Sequence, residues 1–198
     1  MNAPTSDVNK GLPRVRNAAQ TQARILLAAQ RMFSVHGYIH AGMRDIAGEA
    51  GINVALVARY FGSKEKLFEA ALTASLTSQS LHDHPKEEFG CRVVSMFVDN
   101  KPEATNPLMM LVQAAADPCA QAVALEVIRS HVLAPMAGWL GEPDGRTRAA
   151  EILAVCAGFF TYRNLLPLET FSGTHHPAAR RWFERTLQDI VDGGSPAA

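Results

Sequence analysis

From about Asn17 to His36, the apolar residues Ala23, Leu26, Leu27 and Phe33 recur at three- and four-residue intervals, with Gln30 as a polar edge. That period gathers them on one side of a helix, and Gly37 stands where a helix ends on a left-handed residue. A second short helix fits Met43 to Ala50, closed by Gly51, and a third fits Val54 to Phe61 behind Asn53, a good N-cap. Gly62-Ser63 breaks the pattern, and Ser63 is placed to cap a fourth helix from Lys64 to about Leu81. Beyond it no β-branched alternation lasts, so no strand is predicted. Apolar-periodic segments separated by Gly and Pro predict helices near 85–99, 105–116, 118–139, 144–166 and 177–191. Several carry proline in the first turn, where its missing N–H costs nothing, whereas Pro135 falls inside a helix it should kink or end. The expected fold is all-α, with about nine helices. The divisions are a flexible basic arm (1–16), a three-helix head (17–63), a larger helical body (64–192) and a disordered tail (193–198).

Composition changes this picture little and charge changes it more. With 198 residues, 47% apolar and 19% charged, the chain can bury a sizeable core. The longest apolar stretches, such as 152–160, are far shorter than the roughly 20 residues a membrane-spanning helix needs. The polar N-terminus does not resemble a signal peptide, and Cys91, Cys119 and Cys156 are spaced as buried reduced thiols, so a cytoplasmic location is expected. The formal net charge of zero hides an asymmetry. Residues 10–70 hold nine Lys or Arg against four acids, a balance of +5, and residues 71–198 hold ten against fourteen, a balance of −4. A basic N-terminal part favours phosphate; Lys10, Arg14 and Arg16 would let the arm touch it.

Two short helices meeting at a sharp turn form a helix-turn-helix, in which the second helix lies in the DNA major groove. The segment 43–53 has the residues this needs: Ile46 and Ala50 face inward one turn apart, Ala47 permits close approach, Gly51 takes the turn and Ile52 plugs the junction. On the third helix Val57 and Phe61 share the inward side, which leaves Ala55, Ala58 and Arg59 outward and Tyr60 at the rim. Residues 21–68 therefore read as a duplex-DNA-binding head. The run RDIAGEAGINVALVARYFGSKEKLF, preceded by Phe33-Ser34-Val35-His36-Gly37-Tyr38, resembles the signature of the TetR family of bacterial transcription regulators over residues 21–72.

That resemblance implies a role for each matching position. Where the family commonly has a phosphate-bonding threonine ahead of the second helix, this chain has Gly42, and Ala58 stands where an aromatic is frequent, so two backbone contacts are missing. Arg44 can still reach a phosphate or a base edge. Tyr60 and Lys64 match positions that contact phosphate. Asn53, Val54, Ala55 and Arg59 open and line the reading helix: Arg59 suits guanine O6/N7, and Val54 and Ala55 suit thymine methyls. The resemblance also implies a homodimer on a two-fold DNA operator, a small-molecule effector and a repressor released when the effector binds. The dimer helices would be those near 144–166 and 177–191, bearing Ile152, Val155, Phe159, Tyr162 and Trp182, Phe183, Leu187, Ile190, Val191; periodicity fits intramolecular core equally. Met96, Phe97, Met109, Met110, Trp139, Phe159 and Phe160 are candidate pocket lining, with Gln113, His131, Tyr162 and Arg163 as polar anchors, ordinary packing being the alternative for each. Arg163 in an apolar helix calls for an acid or an anionic ligand. His82-Asp83-His84 and His175-His176 sit in loops beside prolines and read as solvated, so no metal and no cofactor is expected. There is no phosphate loop, HExxH or nucleophile elbow, and hence no catalytic residue and no enzyme. A rival reading is a helical small-molecule carrier that has lost specific DNA binding, with Gly42 and Ala58 in its favour.

Overall fold

The computed structural model describes residues 12–77, 85–99, 105–172 and 177–193, with no strand among them. Helix α1 spans Leu12–His40, so residues 12–16, expected in the flexible arm, have helical backbone instead. Pro13 sits in the first turn, where it needs no amide, and the run after it has no helix breaker. Gly37, with φ 72° and ψ 171°, kinks α1 at the position where the apolar pattern stops. A last turn follows, with the Ala41 N–H donating to the Gly37 carbonyl at 3.1 Å.

Helix α2 is Met43–Glu49 and α3 is Val54–Phe61. Between them Gly51 takes φ 63° and the Ile52 N–H donates to the Ala47 carbonyl at 2.9 Å, which closes the sharp turn. Helix α4, Lys64–Thr77, opens with the Lys66 N–H donating to Ser63 Oγ at 3.3 Å. After a short 3-10 turn at Lys86–Glu88 come α5 (Phe89–Val94), α6 (Pro107–Ala114), α7 (Pro118–Ile128), α8 (Ala134–Leu140), α9 (Gly145–Phe160), α10 (Glu169–Ser172) and α11 (Pro177–Val191).

Three π turns, Ser95–Asp99, Arg129–Leu133 and Thr161–Leu165, were not legible in the apolar pattern. The middle one explains how a helix passes Pro135. Proline donates no hydrogen bond and its ring crowds the carbonyl four residues back. In the wider turn the Ala134 N–H donates to the Arg129 carbonyl, five residues back, and the chain continues as helix to Leu140.

Two hydrophobic cores result. One joins α1, α2, α3 and α4 with α6 and α7 around Ile25, Phe33, Ile46, Val57, Phe68 and Met110. The other joins α5, α8, α9 and α11 around Phe89, Val93, Ile152, Phe159, Phe183 and Leu187. The interior therefore does not divide at residue 63: α4, α6 and α7 complete the core of the head. Polar ties fasten α6 to α1. Ser34 Oγ accepts from the Asn106 N–H at 3.1 Å, and Gln113 Nε2 donates to the Ser34 carbonyl at 2.7 Å. In the second core, Arg148 donates to the Val191, Leu140 and Gly141 carbonyls at 2.9, 3.1 and 3.2 Å, a cation against the C-terminal ends of α8 and α11.

Candidate nucleic-acid interface

Helix α3 is anchored on one side only. Val57 is fully buried, and Val54, Tyr60 and Phe61 pack half-buried against the first core. Ala55, Leu56, Ala58 and Arg59 are exposed on the other side. Asn53 Oδ1 accepts from the Ala55 N–H at 2.8 Å, so this side chain caps the helix. Val54 leans on the core more than its expected base contact required. Leu56 was not among the expected contacts, because a leucine beside Val57 is assigned to the core by default. Its place one residue from Val57 and three from Arg59 is the signal that it lies at the edge of the exposed side.

The charges of the head fall into two groups. Arg24 Nη2 donates to the Ala50 carbonyl at 2.6 Å, and Arg31 pairs with Glu49 at 3.5 Å, so both brace α1 against α2 instead of standing free for phosphate. Arg44 and Arg59 are not buried and, among the described residues, form no hydrogen bond or ion pair. At the start of α2, Gly42 supplies no side-chain acceptor, and its own N–H donates to Asp45 Oδ2 at 3.3 Å.

Lys64 lies at the first residue of α4, beside the end of α1. Its Nζ donates to the Ile39 carbonyl at 3.2 Å and stands 4.5 Å from the centroid of the Tyr38 ring. The Tyr38 hydroxyl donates to Glu65 Oε1 at 2.9 Å. Burial first, and then this bond to a carboxylate, push the Tyr38 hydroxyl well above the ordinary phenol range. The Ser63 hydroxyl, then the Glu65 backbone amide and then Tyr38 hold the Glu65 carboxyl below its usual range. Both groups thus keep the protonation states that the bond needs.

The residues named for the ligand pocket do not meet in one place. Met110 belongs to the first core and Phe159 to the second, stacked on Phe183 with ring centroids 3.9 Å apart. Gln113 is spent on the Ser34 carbonyl of α1. Met109 and Met96 are half-buried, Phe160 is buried, and His131 and Tyr162 are exposed. Phe97 and Trp139 pack at the margin of the second core, Trp139 under the Lys86 ammonium at 5.4 Å. Among the described residues Arg163 pairs with no acid. Its Nη1 donates to the Phe171 carbonyl at 2.8 Å and its Nη2 to the Val98 carbonyl at 3.5 Å, which the π turn brings within reach. Most of the apolar stripes expected at a dimer interface turn inward: Ile152, Phe159, Phe183, Leu187, Ile190 and Val191 are buried within the chain, whereas Val155 is half-buried and Tyr162 and Trp182 are exposed. His82-Asp83-His84, His175-His176 and Lys10 lie outside the described residues, as do the side chains of Arg14 and Arg16. Among the described residues no group of three His, Cys, Asp or Glu is placed to hold a metal, and no helix is long and apolar enough to cross a membrane.

Residues 25–71, which hold the helix-turn-helix, match the bacterial regulatory proteins of the tetR family. Residues 87–191, more than half of the chain, match the tetracyclin repressor-like C-terminal domain. The chain belongs to the TetR family. Over 56 residues it is 38% identical to the HTH-type transcriptional regulator BetI of Agrobacterium fabrum, a match that spans 28% of this chain and 27% of that one. The whole fold is similar to a TetR-family transcriptional regulator from Rhodococcus sp., with TM-score 0.69 and 14% identity over 87% of this chain and 99% of the other. It is also similar to the multidrug binding protein EbrR, solved with ethidium, with TM-score 0.62 and 20% identity over 86% and 98% of the two chains. The two structural likenesses extend through head and body alike.

Proposed function

We propose that this TetR-family regulator is a ligand-responsive repressor that binds a two-fold DNA operator as a homodimer in the cytoplasm and is released by a small-molecule effector. The observation that carries the reading is α3: one side is locked into the core by Val57, and the other offers Ala55, Leu56, Ala58 and Arg59 to solvent, with Arg59 unpaired among the described residues. Residues 17–63 would be the DNA-binding part and 64–192 the regulatory and dimerising part. Arg59 pairs with guanine, Ala55 packs on thymine methyls with Val54 behind it, and Asn53 sets the start of the helix. Arg44, Tyr60 and Lys64 hold phosphate, which fixes the register.

A single helix-turn-helix reads few base pairs, so two heads on a symmetric operator are needed. With most of those stripes spent internally, their outward members left for self-association are Tyr162 of the π turn after α9 and Trp182 of α11, 45% and 50% exposed. The effector would enter the second core near Met96, Trp139 and Arg163 and act by binding better to the form in which the heads are misplaced. EbrR, of the same fold, is seen with ethidium, which supports an organic ligand in such a body.

Binding-site selection on random DNA, followed by gel shifts with the selected duplex and with the DNA upstream of the chain's own gene, tests the reading. Affinity is expected to fall linearly on a log–log plot with salt, with a slope of about 0.9 per phosphate neutralised. Absent or salt-insensitive binding would leave the helical carrier as the reading.

A further inference from the structure

The junction of α1 and α4 is built more elaborately than packing requires. Tyr38 is buried, its ring set by Phe33 and Phe68 at centroid distances of 6.1 and 5.3 Å. Glu65 Oε1 accepts from its hydroxyl at the ring edge, while the Lys64 ammonium lies over the ring face. Lys64 and Glu65 are neighbours in the first turn of α4, opposite in charge, yet among the described residues they form no ion pair. The Lys64 charge is also the weakest of the influences lowering the Glu65 carboxyl.

An ammonium has three donors. The Ile39 carbonyl takes one and the Tyr38 ring attracts the charge, so donors remain for a further acceptor. Without the tyrosine hydroxyl the Glu65 carboxylate would lose the bond that fixes Oε1 at the ring edge, and its charge could turn toward this ammonium and repel an approaching phosphate. We propose that Tyr38 is a positioning residue for DNA binding: its ring shelves the Lys64 ammonium at the surface of the head, and its hydroxyl holds the competing Glu65 carboxylate aside so that Lys64 remains available to a phosphate. This rests on the reading of the head as a DNA-binding unit with Lys64 at the backbone.

The test is a salt series of DNA affinities on the full chain, with the duplex recovered by binding-site selection. Tyr38→Phe keeps the ring and frees the carboxylate; affinity falls about fivefold and the salt slope drops by about one, the value of one phosphate contact. Glu65→Gln alone leaves affinity within about twofold of wild type, and added to Tyr38→Phe it restores affinity and slope, because the competing charge is gone. In a Lys64→Ala chain, Tyr38→Phe has no further effect, as expected of residues acting through one contact. The proposal is overturned if the Tyr38→Phe/Glu65→Gln chain binds as weakly as Tyr38→Phe, if Glu65→Gln alone weakens binding as much, or if Tyr38→Phe costs the Lys64→Ala chain the same factor. A wild-type chain that binds no duplex removes the regulator reading along with it, whereas failure of the rescue in a chain that binds removes this proposal alone.

Discussion

Arg59 and Arg44 are both solvent-accessible and unpaired among the described residues, but the proposed reading gives them different tasks. Arg59 projects from the reading side of α3, where a bidentate bond to guanine discriminates by about 1–3 kcal/mol. Arg59→Ala is therefore expected to relax preference at one base pair, and Arg44→Ala to weaken all duplexes evenly; equal loss on every sequence for Arg59→Ala would refute its assignment. A second prediction follows from Glu65. Because its folded carboxyl titrates below the unfolded value, the ionised form stabilises the fold above the ordinary carboxyl range, and that contribution disappears as pH falls through the lowered folded value. Urea midpoints of wild type should fall more steeply from about pH 5 to about pH 3 than those of Glu65→Gln, and parallel curves would mean that Ser63, the Glu65 amide and Tyr38 do not together favour the ionised carboxyl. The sequence made Lys64 a site candidate by its position, but nothing in the order of residues shows that Ile39 and Tyr38 would hold its ammonium. Arg24 and Arg31 carry the same lesson, since counting charges does not reveal which are spent on a carbonyl or a carboxylate inside the head.

Helix starts and stops were readable where one residue type has one physical use. Asn53 and Ser63 cap α3 and α4, and Gly37 and Gly51 take the left-handed φ angles that their places demanded. The π turns were not, because an apolar stripe looks the same whether a turn holds four residues or five. Nor does a stripe name its neighbour, so the α9 and α11 stripes suited a dimer as well as the core that they form. Close approach of two helices is equally hidden, and it makes a sharp prediction. A β-carbon on Gly90 of α5 would strike the Glu184 carbonyl of α11, and the Gly90 N–H donates to Gln188 Oε1 at 3.1 Å across the same contact. Gly90→Ala must push the helices apart and is expected to cost about 1–3 kcal/mol in chemical denaturation. Gly138→Ala, in α8 with open space around the added carbon, should be neutral or stabilise by up to about 1 kcal/mol. Equal effects for the two would mean that α5 and α11 are not in contact at Gly90.

At the scale of the molecule, most of each stripe turns inward, and Tyr162 and Trp182 are the members left outside for the proposed self-association. The Leu168 N–H donates to the Tyr162 carbonyl at 2.9 Å, Arg163 reaches the Phe171 carbonyl, and the Phe171 ring lies 6.0 Å from that of Trp182. These contacts tie the segments bearing Tyr162, Leu168, Phe171 and Trp182 together, and Tyr162, Leu168 and Trp182 are exposed there. Large apolar side chains grouped on a surface mark an interaction site, and a second copy placed there would carry a second head. Trp182→Asp alters a half-exposed ring without opening the core, so the chain should remain folded but sediment as a monomer. Because the second head of a dimer binds at high effective concentration, the monomer is expected to lose about 100-fold or more in affinity for a two-fold operator. Its affinity for an isolated half-site should be unchanged. A variant that stays dimeric would move the interface elsewhere, and a monomer with undiminished operator affinity would show that the two heads do not act together.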